Sequence, residues 1–216
     1  RNIPYSALVN AFADLVKQLL GEPEAILKQW RDRLLTALGA NGQVVIDVIP
    51  EVELIIGVQP AVPSWGASES QNRFNLVFQR FIRAFCSPEH PLAIFLDDLQ
   101  WADLATLNLI ERLLGDSQID SLLLMVAYRD REVSESHPIT HTLAQLSQKG
   151  VNLETISLTP LCLSDVEQLI AETLNSDSQA VSGLAELVMC KTEGNPFFVN
   201  EFLKTLYSEN LLAFDR

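Results

Sequence analysis

Cysteine is scarce. Cys86, Cys162 and Cys190 are the only three in 216 residues, and they lie far apart. So sparse and odd a set argues against a disulfide framework; it reads as small buried hydrophobes in a protein of the reducing cytoplasm. Basic residues are also few. Fifteen Lys and Arg face 28 Asp and Glu, a net charge of −13. Such a surface repels phosphate backbones and anionic lipid, so neither nucleic acid nor a membrane is an expected partner. Long hydrophobic runs are missing: the longest, Leu122 to Tyr128, falls far short of the roughly 20 residues that span a bilayer. The opening RNIPYSAL has no charged-then-apolar leader. The chain starts without Met and is expected to be a piece of something longer. None of its nine glycines is followed by Lys and then Ser or Thr, so the phosphate-cradling loop G-x-x-x-x-G-K-[ST] is not written in it.

What is present is a globular composition, 48% apolar, with alternating helix and strand signals. Leu8, Phe12, Leu15, Val16 and Leu19 share one helical stripe, predicting a helix over 6–20. Gly21 ends it. A second helix follows Pro23 with Leu27, Trp30, Leu34 and Leu38 inward. Residues 39–67 read as short helices and loops. Ser68 and Gln71 have capping-box spacing for a helix over 69–86, whose Phe74, Val77, Phe78, Phe81, Ile82 and Phe85 repeat at three and four. This Phe stripe reads as core. Strands are predicted at 92–97, 122–128 and 152–158, with a helix capped by Asp103 and another at 138–148 between them. Alternation of this kind favours a parallel α/β sheet. From Ser164, which with Glu167 makes another capping-box pattern, only helices follow, at about 164–175, 178–192 and 196–208. The expected organisation is a partial sheet domain over 1–160 and a small helical subdomain over 161–216.

The most telling stretch is LAIFLDDLQWAD, residues 92–103. Leu92 to Leu96 are apolar on both faces, as in a buried parallel strand, and the run ends on Asp97 and Asp98. Carboxylates at that position emerge at the carboxyl end of a strand, where open α/β sheets bind ligands. One acid there can hold Mg²⁺ through water, and the next can position or deprotonate a nucleophilic water. This is the shape of a Walker B element. The bland alternative is an ordinary strand followed by a solvated acidic turn. Two other patterns carry less. His137 and His141 have metal-ligand spacing on a helix, but no Cys or closely spaced acid accompanies them. A serine hydrolase is unsupported, because no G-x-S-x-G elbow is present.

The runs RNIPYSALVNAFADLVKQLL, GANGQVVIDVIPEVELIIG, QNRFNLVFQRFIRAF, HPLAIFLDDLQWAD, LLLMVAYRDREV and KTEGNPFFVNEFLKTLYSENLL, in that order, closely resemble the STAND-type P-loop ATPase module of large bacterial signalling proteins familiar from cyanobacteria. Those proteins join a serine/threonine kinase-like domain, this ATPase, a GAF sensor and often a histidine kinase. The resemblance covers essentially the whole chain. It implies an ASCE/STAND P-loop NTPase-like α/β fold with a helical lid, here without the Walker A strand.

It also implies roles. Asp97 matches the Mg²⁺-holding acid and Asp98 the water-orienting acid. Arg129 matches the sensor-1 position, where a planar multi-donor guanidinium can read a γ-phosphate; a surface Arg paired with Asp130 or Glu132 is its plain alternative. Gly194, Asn195 and Pro196 match the GxP motif of the lid, which approaches adenine or ribose; Gly ending one helix and Pro starting the next is also good local chemistry. ATP or ADP with Mg²⁺ are the implied ligands, and the neighbouring kinase, GAF and histidine-kinase domains the implied partners. A non-hydrolysing scaffold, or the ATPase of a transcription regulator, remain alternatives. In this fold class the Walker A strand lies between the sensor-1 strand and the last strand, here 122–128 and 152–158. Without it those two strands lose their hydrogen-bonding neighbours. The chain by itself is therefore expected to be marginal, rearranged or self-associated, with weak nucleotide affinity.

Overall fold

The computed structural model describes residues 5–63 and 66–212 and divides into two compact units, one running to Leu153 and one from Glu154 on. Helix α1 (Ser6–Leu19) buries Leu8, Phe12 and Val16. Helix α2 (Glu24–Leu38) buries Leu34 and Leu38. Two single-turn helices follow, α3 (Gly42–Ile46) and α4 (Val52–Ile56), and both face inward with Val45, Ile46, Val52, Ile55 and Ile56. Helix α5 (Ala67–Phe85) carries the predicted Phe stripe. Its Phe78, Phe81 and Phe85 gather around Phe12 of α1 with ring centroids 6.0, 5.5 and 5.6 Å away, and Trp30 of α2 stacks on Phe85 at 5.1 Å. Phe12, Phe78 and Phe81 are completely buried. Offset and edge-on aromatic contacts of this kind add about 0.5–1.5 kcal/mol per pair beyond the area they remove from water.

Against this helical block lies a two-stranded parallel sheet. β1 (Leu92–Leu96) pairs with β2 (Leu122–Val126) in the register Leu92↔Leu122 to Leu96↔Val126. Helix α6 (Leu104–Leu114) is the crossover that parallel pairing requires, and α7 (Pro138–Gln148) packs against it. The second unit holds α8 (Leu163–Leu174), α9 (Ser178–Thr192) and α10 (Pro196–Ser208) around Val166, Ile170, Val181, Ala185, Val188 and Val199. No helix among the described residues is long and apolar enough to cross a membrane.

The cysteines are not the buried hydrophobes expected of them: Cys162 and Cys190 are exposed and Cys86 is half-buried. Four further expectations need correction. The strands are not buried on both faces. Ile94 and Leu96 point into the core, whereas Phe95, Leu123 and Met125 are 60%, 58% and 44% exposed. Pleating sends alternate side chains to opposite faces, and the described helices cover only one of them. Second, residues 152–158 form no strand. They are irregular, with Ile156 and Leu158 almost fully exposed. A strand exists only where a neighbour takes its N–H and C=O groups, and the sheet of the described residues stops at two strands.

The other two concern caps. Helix α5 starts at Ala67, and the side chain that reaches back is that of Glu69, accepting from the Gly66 N–H at 3.1 Å. The side chain of Ser68 lies outside the described residues, and Gln71 instead donates to the Tyr5 hydroxyl. Helix α8 starts two residues earlier than the Ser164–Glu167 spacing implies. Asp165 accepts from the Cys162 N–H at 2.9 Å, and hydrogen bonding to the Cys162 side chain, then to its backbone, holds the Asp165 carboxyl below the ordinary range.

Candidate functional site

β1 delivers Asp97 and Asp98 directly past its last paired residue. The ladder continues for one step beyond the strands: the Ala127 N–H donates to the Leu96 carbonyl, and the Leu99 N–H donates to the Ala127 carbonyl, both at 2.9 Å. Between those two bonds the chain must turn sharply. Asp98 makes the turn in the left-handed region, at φ 50°, a conformation that Asp tolerates better than most side chains. Its N–H is satisfied by the Asp97 carboxylate at 2.8 Å. A short 3₁₀ turn, Leu99–Trp101, then buries Leu99 and Gln100 and leaves Trp101 outside. Asp103 ends the turn and caps α6, accepting from the N–H and hydroxyl of Thr106 at 2.8 Å each, as its place before an apolar-periodic run predicts.

β2 brings Arg129 to the same end of the sheet. Its guanidinium lies 3.5 Å from Asp98 Oδ1 and 3.1 Å from Glu132, and its Cζ sits 5.5 Å from the centre of the Trp101 ring. Arg129 is thus shared between the second acid of the pair and the Glu132 partner expected of a surface Arg. Both contacts are solvent-exposed, and exposed pairs are weakly held, so the guanidinium is available to a stronger anion.

The N-terminus of α1 forms the remaining wall. The Tyr5 N–H donates to Asp103 Oδ2 at 3.3 Å, and the Tyr5 hydroxyl donates to the buried Asn75 at 2.8 Å. Burial, then the nearby Asp103 charge, raise the Tyr5 hydroxyl pKa. Ser6, Asp97, Asp98, Trp101 and Thr106 line a cleft of ≈ 180 Å³. That is less than the roughly 300–1,000 Å³ of a small-molecule pocket. A larger groove of ≈ 460 Å³ lies along α6 and α7 beside Glu135 and His141. It has no paired carboxylates, and the chemistry, not the volume, marks the smaller cleft as the candidate.

The donor set suits Mg²⁺ and phosphate. Two adjacent carboxylates, one exposed and one half-buried, offer hard oxygen donors, and a guanidinium stands beside them. His137 is engaged otherwise: its Nδ1 accepts from the Ile139 N–H at 3.2 Å and caps α7.

In the second unit, Gly194, Asn195 and Pro196 form the junction between α9 and α10. Gly194 is at φ 74°, and a Cβ there would lie 2.1 Å from the Leu161 carbonyl oxygen. Only glycine permits that approach, and it lets the Leu161 N–H donate to the Gly194 carbonyl at 2.8 Å. Asn195 caps α10 by accepting from the Phe197 N–H at 3.0 Å, and Pro196 occupies its first turn. Phe197 and Phe198 are left 66% and 55% exposed.

Sequence reasoning missed Gln100. It is 6% exposed, and its amide bridges the two strand ends. A polar residue beside the acid pair carries no sequence signal of this; only the pairing of β1 with β2 brings Arg129 within its reach.

The chain is similar over 98% of its length to Hybrid signal transduction histidine kinase G of Dictyostelium discoideum, at 29% identity, and it spans only 8% of that protein. No solved structure matches it significantly. Residues 1–126, which hold α1 to α6 and both strands with the acid pair between them, match the AAA ATPase domain. The chain therefore belongs to the AAA ATPase domain family, whose fold is P-loop NTPase-like α/β.

Proposed function

We propose that these residues are the Walker B, sensor-1 and lid part of a STAND-type ATPase module in a multidomain signalling kinase. In this reading Asp97 holds Mg²⁺ through water, Asp98 orients the hydrolytic water, and Arg129 reads the γ-phosphate. The Gly194–Asn195–Pro196 junction is the lid element that approaches the nucleotide. Bound Mg²⁺ and ATP would supply the phosphoryl group and the charge that polarises it. The chain's own residues hold, orient and discriminate.

The observation that carries this reading is the convergence of Asp97, Asp98 and the Arg129 guanidinium at one end of a parallel sheet, with Arg129 3.5 Å from Asp98. Two further features support it. The cleft is too small for a nucleotide by itself, as a site completed by a phosphate cradle elsewhere in the protein would be. The unpaired 152–158 segment and the uncovered face of Phe95, Leu123 and Met125 are what a sheet lacking its middle strand would show. The resemblance to a histidine kinase fits a regulatory role, in which exchange of ATP for ADP changes the arrangement of neighbouring kinase, GAF and histidine-kinase domains.

The test is nucleotide binding in the protein with its natural flanking sequence, followed by equilibrium titration with a fluorescent ATP analogue. Asp97→Ala should abolish the Mg²⁺-dependent part of the affinity. Arg129→Ala should narrow the gap between ATP and ADP affinities. Binding that ignores Mg²⁺ and both substitutions would favour the scaffold reading instead.

A further inference from the structure

Gln100 is the buried polar side chain at the site that the proposed roles leave unused. It is fully engaged at both ends. Its Nε2 donates to Asp98 Oδ1 at 2.8 Å, and its Oε1 accepts from the backbone N–H of Arg129 at 3.3 Å. A carboxylate can only accept and a backbone N–H can only donate, so these two partners dictate which way the amide points. No other side chain of this length serves both. Glu could accept from Arg129 but would set two carboxylates against each other; Met would serve neither partner.

The consequence falls on Asp98. Its Oδ1 is occupied twice, by Gln100 and by the Arg129 guanidinium. Its Oδ2 has no hydrogen-bond or ion-pair partner among the described residues. A carboxylate held by one oxygen, on a backbone already turned into the left-handed region, presents the other in a defined direction. A water-orienting acid needs that. Rotation of a free carboxylate would blur the direction of attack, and misplacement by about 1 Å can cost about 100-fold in rate.

We propose that Gln100 is a positioning residue. It anchors the Asp98 carboxylate through Oδ1 so that Oδ2 faces the hydrolytic water, and it ties that carboxylate to the backbone of the sensor-1 strand end. This rests on the reading of Asp98 as the water-orienting acid. The tie has a second effect: any displacement of the Arg129 backbone is transmitted to Asp98 through one amide.

The experiment is steady-state ATP hydrolysis by the protein with its natural flanking sequence, comparing wild type, Gln100→Met, Asp98→Asn and the double variant. Gln100→Met should lower kcat by about 10- to 100-fold and leave KM for ATP within about threefold, with the fold retained by circular dichroism. In the Asp98→Asn background the same substitution should have little further effect, because the residue acts through Asp98. If Gln100→Met does not fold, Gln100→Glu keeps the acceptor for Arg129 but replaces the bond to Asp98 with a repelling carboxylate, and a kcat loss at least as large is expected. An active enzyme that is slowed by Asp98→Asn but indifferent to the Gln100 substitutions overturns the positioning role alone. An equal loss in both backgrounds also overturns it, since Gln100 would then act independently of Asp98. A wild-type protein that does not hydrolyse ATP overturns both this role and the ATPase reading beneath it.

Discussion

β2 and residues 152–158 make an instructive pair. Both are short, are expected as strands and follow a helix and a turn, but β2 is apolar throughout whereas 152–158 carries Leu153, Ile156 and Leu158 among polar residues. β2 is a strand, hydrogen-bonded along its length to β1. The other segment is irregular and exposes Ile156 and Leu158. The side chains differ, and so do the partners. β1 is anchored by Ile94 and Leu96 in the core behind it, so β2 adds to a fixed edge. Residues 152–158 meet no such edge among the described residues. β-Propensity describes fitness for a pleated, half-buried surface, and such a surface has to be there first.

Buried and exposed phenylalanines sharpen this comparison most. Phe81→Ala, in the core of the helical block, should destabilise the first unit by about 3–5 kcal/mol, read as a lower midpoint in urea unfolding. Phe95→Ala, on the uncovered sheet face, should change the 216-residue chain by no more than about 0.5 kcal/mol. In the protein with its natural flanking sequence, Phe95→Ala should become clearly destabilising. Equal, small effects in both would mean that this face is never covered, and the account of an incomplete sheet would fail.

The next contrast is between two glycines of the helical unit. Gly194→Ala puts a Cβ against the Leu161 carbonyl at a positive φ, and should cost about 1–3 kcal/mol. Gly183 lies inside α9 with open space around it, so Gly183→Ala should stabilise by about 0.5–1 kcal/mol. Thermal melts of the two variants read the opposite signs directly. A Gly194→Ala protein as stable as wild type would remove the close-approach explanation for that glycine.

The smallest effect is electrostatic. The Asp165 carboxyl is held below its ordinary value of 3.8 by its bonds to Cys162. The stabilisation is therefore present above that pH and is lost as pH falls through the lower, folded-state value. The melting temperature of the helical unit should drop on acidification below about pH 4, and Asp165→Asn should flatten that drop. A pH profile unchanged by the substitution would show that the cap contributes nothing measurable.

Much of this architecture was legible in the sequence because it depends on neighbours close along the chain. The stripes of α1, α2 and α5, the Asp103 cap and the acid pair at the end of β1 all follow from local periodicity and spacing. What escaped depends on distant or missing partners. The exposed face of β1 and β2 could not be told from a buried one, since an apolar run reads the same either way. Residues 152–158 read as a strand because nothing local states whether an edge awaits them. The caps of α5 and α8 differ from the expected ones because Glu69 and Asp165 also lie three residues past a usable backbone N–H. Gln100 and the hydrogen bond from Gln71 to Tyr5 emerge only once the elements are packed.

The central claim is that Asp97, Asp98 and Arg129 are part of an ATP site completed by a phosphate cradle outside these 216 residues. Thermal unfolding with and without Mg-ATP tests it most directly, on this chain and on the protein with its natural flanking sequence. A ligand that binds only the folded state raises the melting temperature by mass action. The account predicts a rise in the longer protein, removed by Asp97→Ala, and little or none in the 216-residue chain. No rise in either protein would contradict it and leave a scaffold in its place.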